Sequence, residues 1–177
     1  MKIGVLADTH VPDIFPNLPT RVLEIFNGVD LILHAGDITE LRVLQQLEPI
    51  AQTFAVYGDR DSAELRKYLE EKSRLEFGGR ALGLVHGHRA WEGNPLTRAW
   101  SRLNRAHRDE MLREFVLRQF SNVDAIVFGH THEPYIKMHG NVLLFNPGSI
   151  APRGGRIGCV GILEINPYAI KGRIVPL

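Results

Sequence analysis

Five times along the chain a short apolar run stops on an aspartate or a histidine. Met1 to Ala7 leads into Asp8-Thr9-His10, Leu31 to Ala35 into Gly36-Asp37, and Phe54 to Tyr57 into Gly58-Asp59. Leu82 to Val85 leads into His86-Gly87-His88, and the stretch from Val123 ends in Gly129-His130-Thr131-His132. Runs that are apolar throughout suit strands covered on both faces. In open α/β sheets, ligands bind beyond the carboxyl ends of the strands. Seven side chains, Asp8, His10, Asp37, Asp59, His86, His130 and His132, are therefore candidates to converge on one point. A mixture of carboxylates and imidazoles is a donor set for first-row divalent metals.

The segments between these runs set the connections. Thr20 to Asn27 reads as a short helix stopped by Gly28, with Val22, Leu23 and Phe26 at helical spacing. Thr39 is placed to cap a second helix whose Leu41, Leu44 and Leu47 share a face until Pro49. Asp61 with Glu64 resembles a capping box for a third. The alternation is β-α-β-α up to this point. Antiparallel pairing then enters, because Gly78-Gly79 between Arg74–Phe77 and Ala81–Val85 has the character of a primed hairpin turn. Asn94-Pro95 predicts a helix start, with helical character to about Gln119 and a break near Asn104. A second hairpin turns at His139-Gly140-Asn141, Asn146-Pro147-Gly148-Ser149 is a tight turn, and Cys159–Ile165 and Gly172–Val175 read as closing strands.

At 177 residues the chain is expected to be a single domain over 1–177, with a helical insertion at about 94–120. A net charge of +1 argues against a nucleic-acid partner, and the lone Cys159 excludes an intrachain disulfide framework and fits a reducing compartment. No apolar stretch approaches the ~20 residues that cross a bilayer, and the start of the chain lacks a charged segment and cleavage site. A soluble, cytoplasmic protein without a membrane partner is the expectation. Among the remaining polar residues, His34 reads as a hydrogen-bonded core residue and His107 as packing on the apolar side of its helix. Arg98, Arg102 and Arg105 read as a solvated stripe.

Taken together and in order, Asp8-x-His10, Gly36-Asp37, Gly58-Asp59-x-Asp61, His86-Gly87 and Gly129-His130-Thr131-His132 resemble the five signature blocks of the calcineurin-like metallophosphoesterases. His86-Gly87-His88 and Asn146-Pro147-Gly148-Ser149 are similar to the compact bacterial and archaeal phosphodiesterase branch, which also contains the retromer scaffold subunit. The resemblance implies an α/β fold, a four-layer α-β-β-α sandwich of two mixed sheets with the metal site at the strand C-terminal ends. It implies two divalent metal ions, Mn favoured on ligand type, with Zn, Fe or Ni as alternatives. One metal would take Asp8, His10 and His132, the other Asp59, His86 and His130, with Asp37 bridging. The expected chemistry is hydrolysis of a small phosphoester substrate, a phosphodiester ahead of a monoester, by metal-activated hydroxide. Members of this branch are often homo-oligomers.

Two neighbouring positions depart from the family pattern, whose third block usually reads Gly-Asn-His-Asp or Gly-Asn-Cys-Asp. Asp59 ligates as well as asparagine but adds a negative charge. Arg60 replaces the histidine held to assist the leaving group, and arginine stays protonated at any working pH. The residues assigned to catalysis are thus Arg60, as a clamp for phosphoryl oxygens, and His88, as the nearest imidazole free to replace the missing one. A metal-binding scaffold with weak or absent chemistry is the rival reading, because the lost histidine is the kind of change a non-catalytic member carries. A nuclease is a third.

Overall fold

The computed structural model describes residues 1–91, 104–151 and 157–177. Its strands form two five-stranded sheets. The first has the order β10-β9-β1-β2-β3, from β1 (Lys2–Leu6), β2 (Leu31–His34), β3 (Gln52–Ala55), β9 (Cys159–Asn166) and β10 (Ala169–Pro176). The second has the order β4-β5-β6-β8-β7, from β4 (Lys72–Phe77), β5 (Arg80–Val85), β6 (Ala125–Val127), β7 (Pro134–His139) and β8 (Val142–Pro147). Strands β1, β2 and β3 run parallel, as do β5, β6 and β8. The hairpins β4-β5, β7-β8 and β9-β10 and the β1-β9 pair are antiparallel, which makes both sheets mixed.

Uninterrupted apolar runs are explained by where alternate side chains go. Ile3, Val5, Leu31 and Leu33 meet Leu82, Leu84, Val127 and Phe145 in the core between the sheets. Their neighbours Leu6 and Ile32 face the other way, onto Val22 and Phe26 of α1 (Thr20–Phe26) and Val43 and Leu47 of α2 (Arg42–Leu47). On the far side, Val85, Ile126 and Leu144 pack against Leu112 and Val116 of α4 (Arg105–Arg118). Every central strand is thus covered on both faces, and the layers stack α-β-β-α, the expected fold class. No helix among the described residues is long and apolar enough to cross a membrane.

Local expectations fare unevenly. Helix α1 and the hairpins lie where spacing placed them. Thr39 caps nothing: its hydroxyl donates to the carbonyls of Val11 and Ile38, and α2 begins at Arg42 without a side-chain cap. Asp61 does not open α3 (Leu65–Tyr68), whose Leu65 N–H is accepted by Ser62 Oγ at 3.2 Å. His107 is exposed in the first turn of α4 instead of packing, since the helix turns only Leu112 and Val116 fully inward. Arg105 pairs with Glu133, whereas Arg98, Arg102 and the helix start at Asn94-Pro95 lie outside the described residues.

One polar clip fixes the second sheet. Asp124 accepts from the Ala81 N–H at 2.8 Å and the Arg80 guanidinium at 2.7 Å, joining the starts of β5 and β6. The Ala81 N–H, with the Arg80 charge behind it, holds the Asp124 carboxyl below its ordinary value. A depressed folded pKa means that the contribution is whole above the unfolded value and is lost as pH falls through the folded one. Asp124→Asn is expected to lower stability by about 1 kcal/mol at pH 7, the usual net value of such a bond. Urea denaturation at pH 7 and again near pH 3 should show the difference from wild type shrinking at the lower pH.

Candidate metal centre

The parallel strands deliver their ends to one edge of the sandwich. Asp8 follows β1, Asp37 follows β2, Asp59 follows β3, His86 follows β5 and His130 follows β6. The chain must turn sharply there to present each side chain, and the backbone shows it. Asp8, His10, Asp37, His130 and His132 all adopt positive φ, from 48° to 74°. Aspartate and histidine enter that region more readily than most residues, but it still costs about 1–2 kcal/mol each. Backbone strain of this kind clusters at functional sites.

The seven side chains form two groups. Asp37, Asp59, His86 and His130 make one, and Asp8, His10 and His132 the other, with donor atoms in each group within 4.8 Å of one another. In the first, His86 Nε2 lies 3.5 Å from Asp37 Oδ1 and 3.3 Å from Asp59 Oδ1, and His130 Nδ1 lies 3.1 Å from Asp59 Oδ1. In the second, His132 Nε2 is 3.4 Å from Asp8 Oδ1 and 3.2 Å from His10 Nε2. Asp37 reaches both, with Oδ1 toward His86 and Oδ2 4.0 Å from His10 Nε2.

These spacings suit a cation. An ion about 2.1 Å from each nitrogen or oxygen holds its donors roughly 3.0–3.4 Å apart. Asp8 supplies an independent sign: it is fully buried, yet its Oδ1 has no hydrogen-bond partner. Burial, together with the charges of Asp37 and Asp59, pushes the Asp8 carboxyl up to about 8, against the opposing pull of His86. Hydrogen bonds from His130 and His86 drive Asp59 far below the usual carboxylate range. Burial disfavours the His86 cation, but Asp37 and Asp59 outweigh it and raise the imidazole well above its ordinary value. A cluster holding protons against burial in this way is one that divalent cations would relieve.

Supporting groups set the orientations. His86 Nδ1–H donates to the Ala35 carbonyl at 2.7 Å, which leaves Nε2 for the centre. Asp61, buried, accepts from the N–H groups of Asp37, Thr39 and Gly58 at 3.1, 2.6 and 2.7 Å, tying two of the loops together. Asn146 Nδ2 donates to the Gly129 carbonyl at 2.9 Å, and Ser149 Oγ to the Asp8 carbonyl at 2.8 Å. The Asn-Pro-Gly-Ser turn is therefore a brace under the fifth and first of these loops, those of His130 and Asp8, as well as a turn. Spacing alone does not separate a helix-capping aspartate from a loop-bracing one, and the sequence marks Asn146 and Ser149 as a tight turn shared with the family branch, without showing which loops they brace. His34 is fully buried, within 3.3 Å of Thr9 Oγ1, and lowered to about 3 by burial and by His86, so it is a neutral core residue.

The two residues assigned to catalysis, Arg60 and His88, flank the centre. Arg60 donates its N–H to Asp37 Oδ1 at 2.8 Å, and its side chain is exposed while its charge acts on His10. His88 sits with its ring centroid 5.5 Å from that of His86 and 5.9 Å from that of Tyr57. Burial and the charge of His86 lower it to about 4, so it is neutral near pH 7.

Two mixed sheets with aspartates and histidines gathered beyond their parallel strand ends define a class of metal-binding α/β sandwich proteins. The chain belongs to the calcineurin-like phosphoesterase superfamily, whose domain it matches over residues 1–167. It is 34% identical to a probable metallophosphoesterase of Methanocaldococcus jannaschii over 178 residues, spanning 100% of this chain and 82% of that protein. Among solved structures, an archaeal phosphodiesterase superposes with a TM-score of 0.73 at 25% identity, covering 100% of both chains. Vps29 of Chaetomium thermophilum shares the fold, with a TM-score of 0.75 at 16% identity over 100% of this chain and 86% of its own. The family implies divalent metals, and the Asp/His groups are able to bind them.

Proposed function

We propose that the protein is a binuclear, divalent-metal-dependent phosphodiesterase. The observation that carries this reading is Asp37, whose two carboxylate oxygens face two separate donor groups. The proposed ligands are Asp8, His10 and His132 on one side and Asp59, His86 and His130 on the other, with Asp37 between. A pair of divalent cations held there would supply an activated water at neutral pH and charge neutralisation for a phosphoryl group. Three aspartates make the donor set strongly acidic, which favours Mn²⁺ on ligand hardness, with Zn²⁺, Fe or Ni as alternatives.

The chain's own residues shape what is hydrolysed. Arg60 stands at the solvent edge beside the bridging aspartate, where a guanidinium holds two phosphoryl oxygens and stabilises charge growing on them. It gives up no proton to a leaving group. His88, neutral near pH 7, holds none in reserve there. Esters whose leaving groups depart as stable anions, such as aryl or diphosphate groups, are therefore the proposed substrates.

The test is hydrolysis of a bis-aryl phosphodiester by the purified chain with added Mn²⁺, beside its alkyl counterpart. Turnover that chelation removes is expected, with the aryl ester faster by at least the ~10²–10⁴-fold a proton-transfer step contributes. Arg60→His should narrow that gap. Equal aryl and alkyl rates would sink the substrate assignment. Two bound metals with no turnover on any ester would favour the scaffold reading, to which the arginine at position 60 points.

A further inference from the structure

A metal-ligating imidazole needs its ring plane held as well as its nitrogen supplied. For His86 the Ala35 carbonyl does this through the second nitrogen. His130 is different: Nδ1 faces Asp59 and His86, and among the described residues its Nε2 makes no hydrogen bond. What lies against its ring is Trp91, with centroids 4.6 Å apart and planes inclined by 34°. Trp91 ends the 3-10 turn His88–Trp91, so it is carried by the same segment that presents His86. Its indole N–H donates to the Arg108 carbonyl on α4 at 3.4 Å, and the Arg108 guanidinium lies 5.8 Å from the ring. The indole is thus fastened to a helix on one side and rests on a loop imidazole on the other.

We infer that Trp91 is a positioning residue for the Asp59-His86-His130 half of the centre, holding the plane of His130 through ring contact in place of the missing hydrogen bond. The inference rests on the metal-centre reading above. It also makes the indole a reporter of metal occupancy, because a quenching cation bound to His130 would lie one imidazole away. Removing the outer support of a ligand costs roughly 10–100-fold in metal affinity.

The experiment titrates Co²⁺ into the metal-free full chain, reading tryptophan fluorescence and calorimetric binding. The chain has two tryptophans, so Trp91→Phe and Trp100→Phe assign the signal. Wild type is expected to quench on Co²⁺ addition, and Trp91→Phe to remove the share of the quenching that comes from the indole beside His130, a share that Trp100→Phe retains. By calorimetry, Trp91→Ala is expected to weaken one of two sites by at least about tenfold, while Trp91→Phe, which keeps a flat ring against His130, restores most of the affinity. Unchanged melting of the metal-free variants separates this from general destabilisation. Quenching undiminished in Trp91→Phe, or Co²⁺ affinity unchanged in Trp91→Ala, overturns the inference and leaves the metal centre standing. Should Trp91→Ala not fold, Trp91→Leu, which fills the space without a flat ring, takes its place in the calorimetry with the same two outcomes. A wild-type chain that takes up no Co²⁺ overturns both readings together.

Discussion

Gly58→Ala is expected to cut metal affinity sharply in a chain that still folds. A Cβ at this position would fall well inside contact distance of Asp37 Oδ1, and 2.7 Å from both the Asp37 nitrogen and His86 Cδ2. Those are the proposed bridging carboxylate and a ring the same cation would share. Neither moves freely, since His86 is pinned by Ala35 and the Asp37 N–H by Asp61. The added methyl therefore displaces the ligands themselves. Affinity should fall by about 100-fold or more, the upper range for disturbing a ligand's support, at a stability cost of roughly 1–3 kcal/mol for overpacking. Gly79→Ala is the control: its φ of +75° makes alanine strained, but nothing lies within 4 Å of the added carbon. It should lose about 1–2 kcal/mol of stability and no metal. Metal analysis of both purified variants, with circular dichroism to verify folding, checks the expectation. Full metal content in Gly58→Ala would mean that Asp37 is not a ligand.

Asp37→Asn is expected to reduce bound metal from two ions toward one and turnover by at least about 10³-fold, the upper range for removing one preorganised charge-stabilising group. The amide keeps the shape and keeps an acceptor for the Arg60 N–H, which now bonds Oδ1 at 2.8 Å. What it loses is the second anionic oxygen, the one facing His10. The Asp8-His10-His132 group should therefore be the one that empties, while the group around His86 and Asp59 retains an ion. Metal stoichiometry and single-substrate kinetics on the same preparation test the two halves of the expectation together. A variant that keeps two ions and wild-type turnover would remove Asp37 from the bridging role.

Much of the architecture is legible in the sequence because burial on two faces leaves an unmistakable trace. Met1–Ala7 and Leu31–Ala35 carry no polar alternation, and only a strand between two packed layers has use for that; Ile3 and Val5 enter one core while Leu6 enters the other. The candidate ligands were legible for a related reason. A polar residue at the abrupt end of such a run has nowhere to point but the strand terminus, and five such ends in order match one family's blocks. Less legible were residues whose chemistry serves either of two local purposes. Asp61 followed by Glu64 reads as a helix cap, yet its carboxylate is taken by three backbone N–H groups from the loops around it. Thr39 is a reasonable cap that turns its hydroxyl back to Val11 and Ile38. Both misreadings have one cause: local hydrogen-bond preference is weak beside the need to satisfy buried backbone groups in a crowded turn.

By itself, then, the order of residues determined which segments are strands, which side chains stand at their ends and what charge they bring, because these depend on burial periodicity and on ionisable groups a few residues apart. Tertiary structure alone decided that Asp37 turns one oxygen to each donor group, that Asn146 and Ser149 brace loops more than a dozen residues away in sequence, and that Trp91 rests on His130 across 39 positions of chain. Such relations arise when two sheets close on each other, and a pattern read along one strand carries no information about the sheet it will meet.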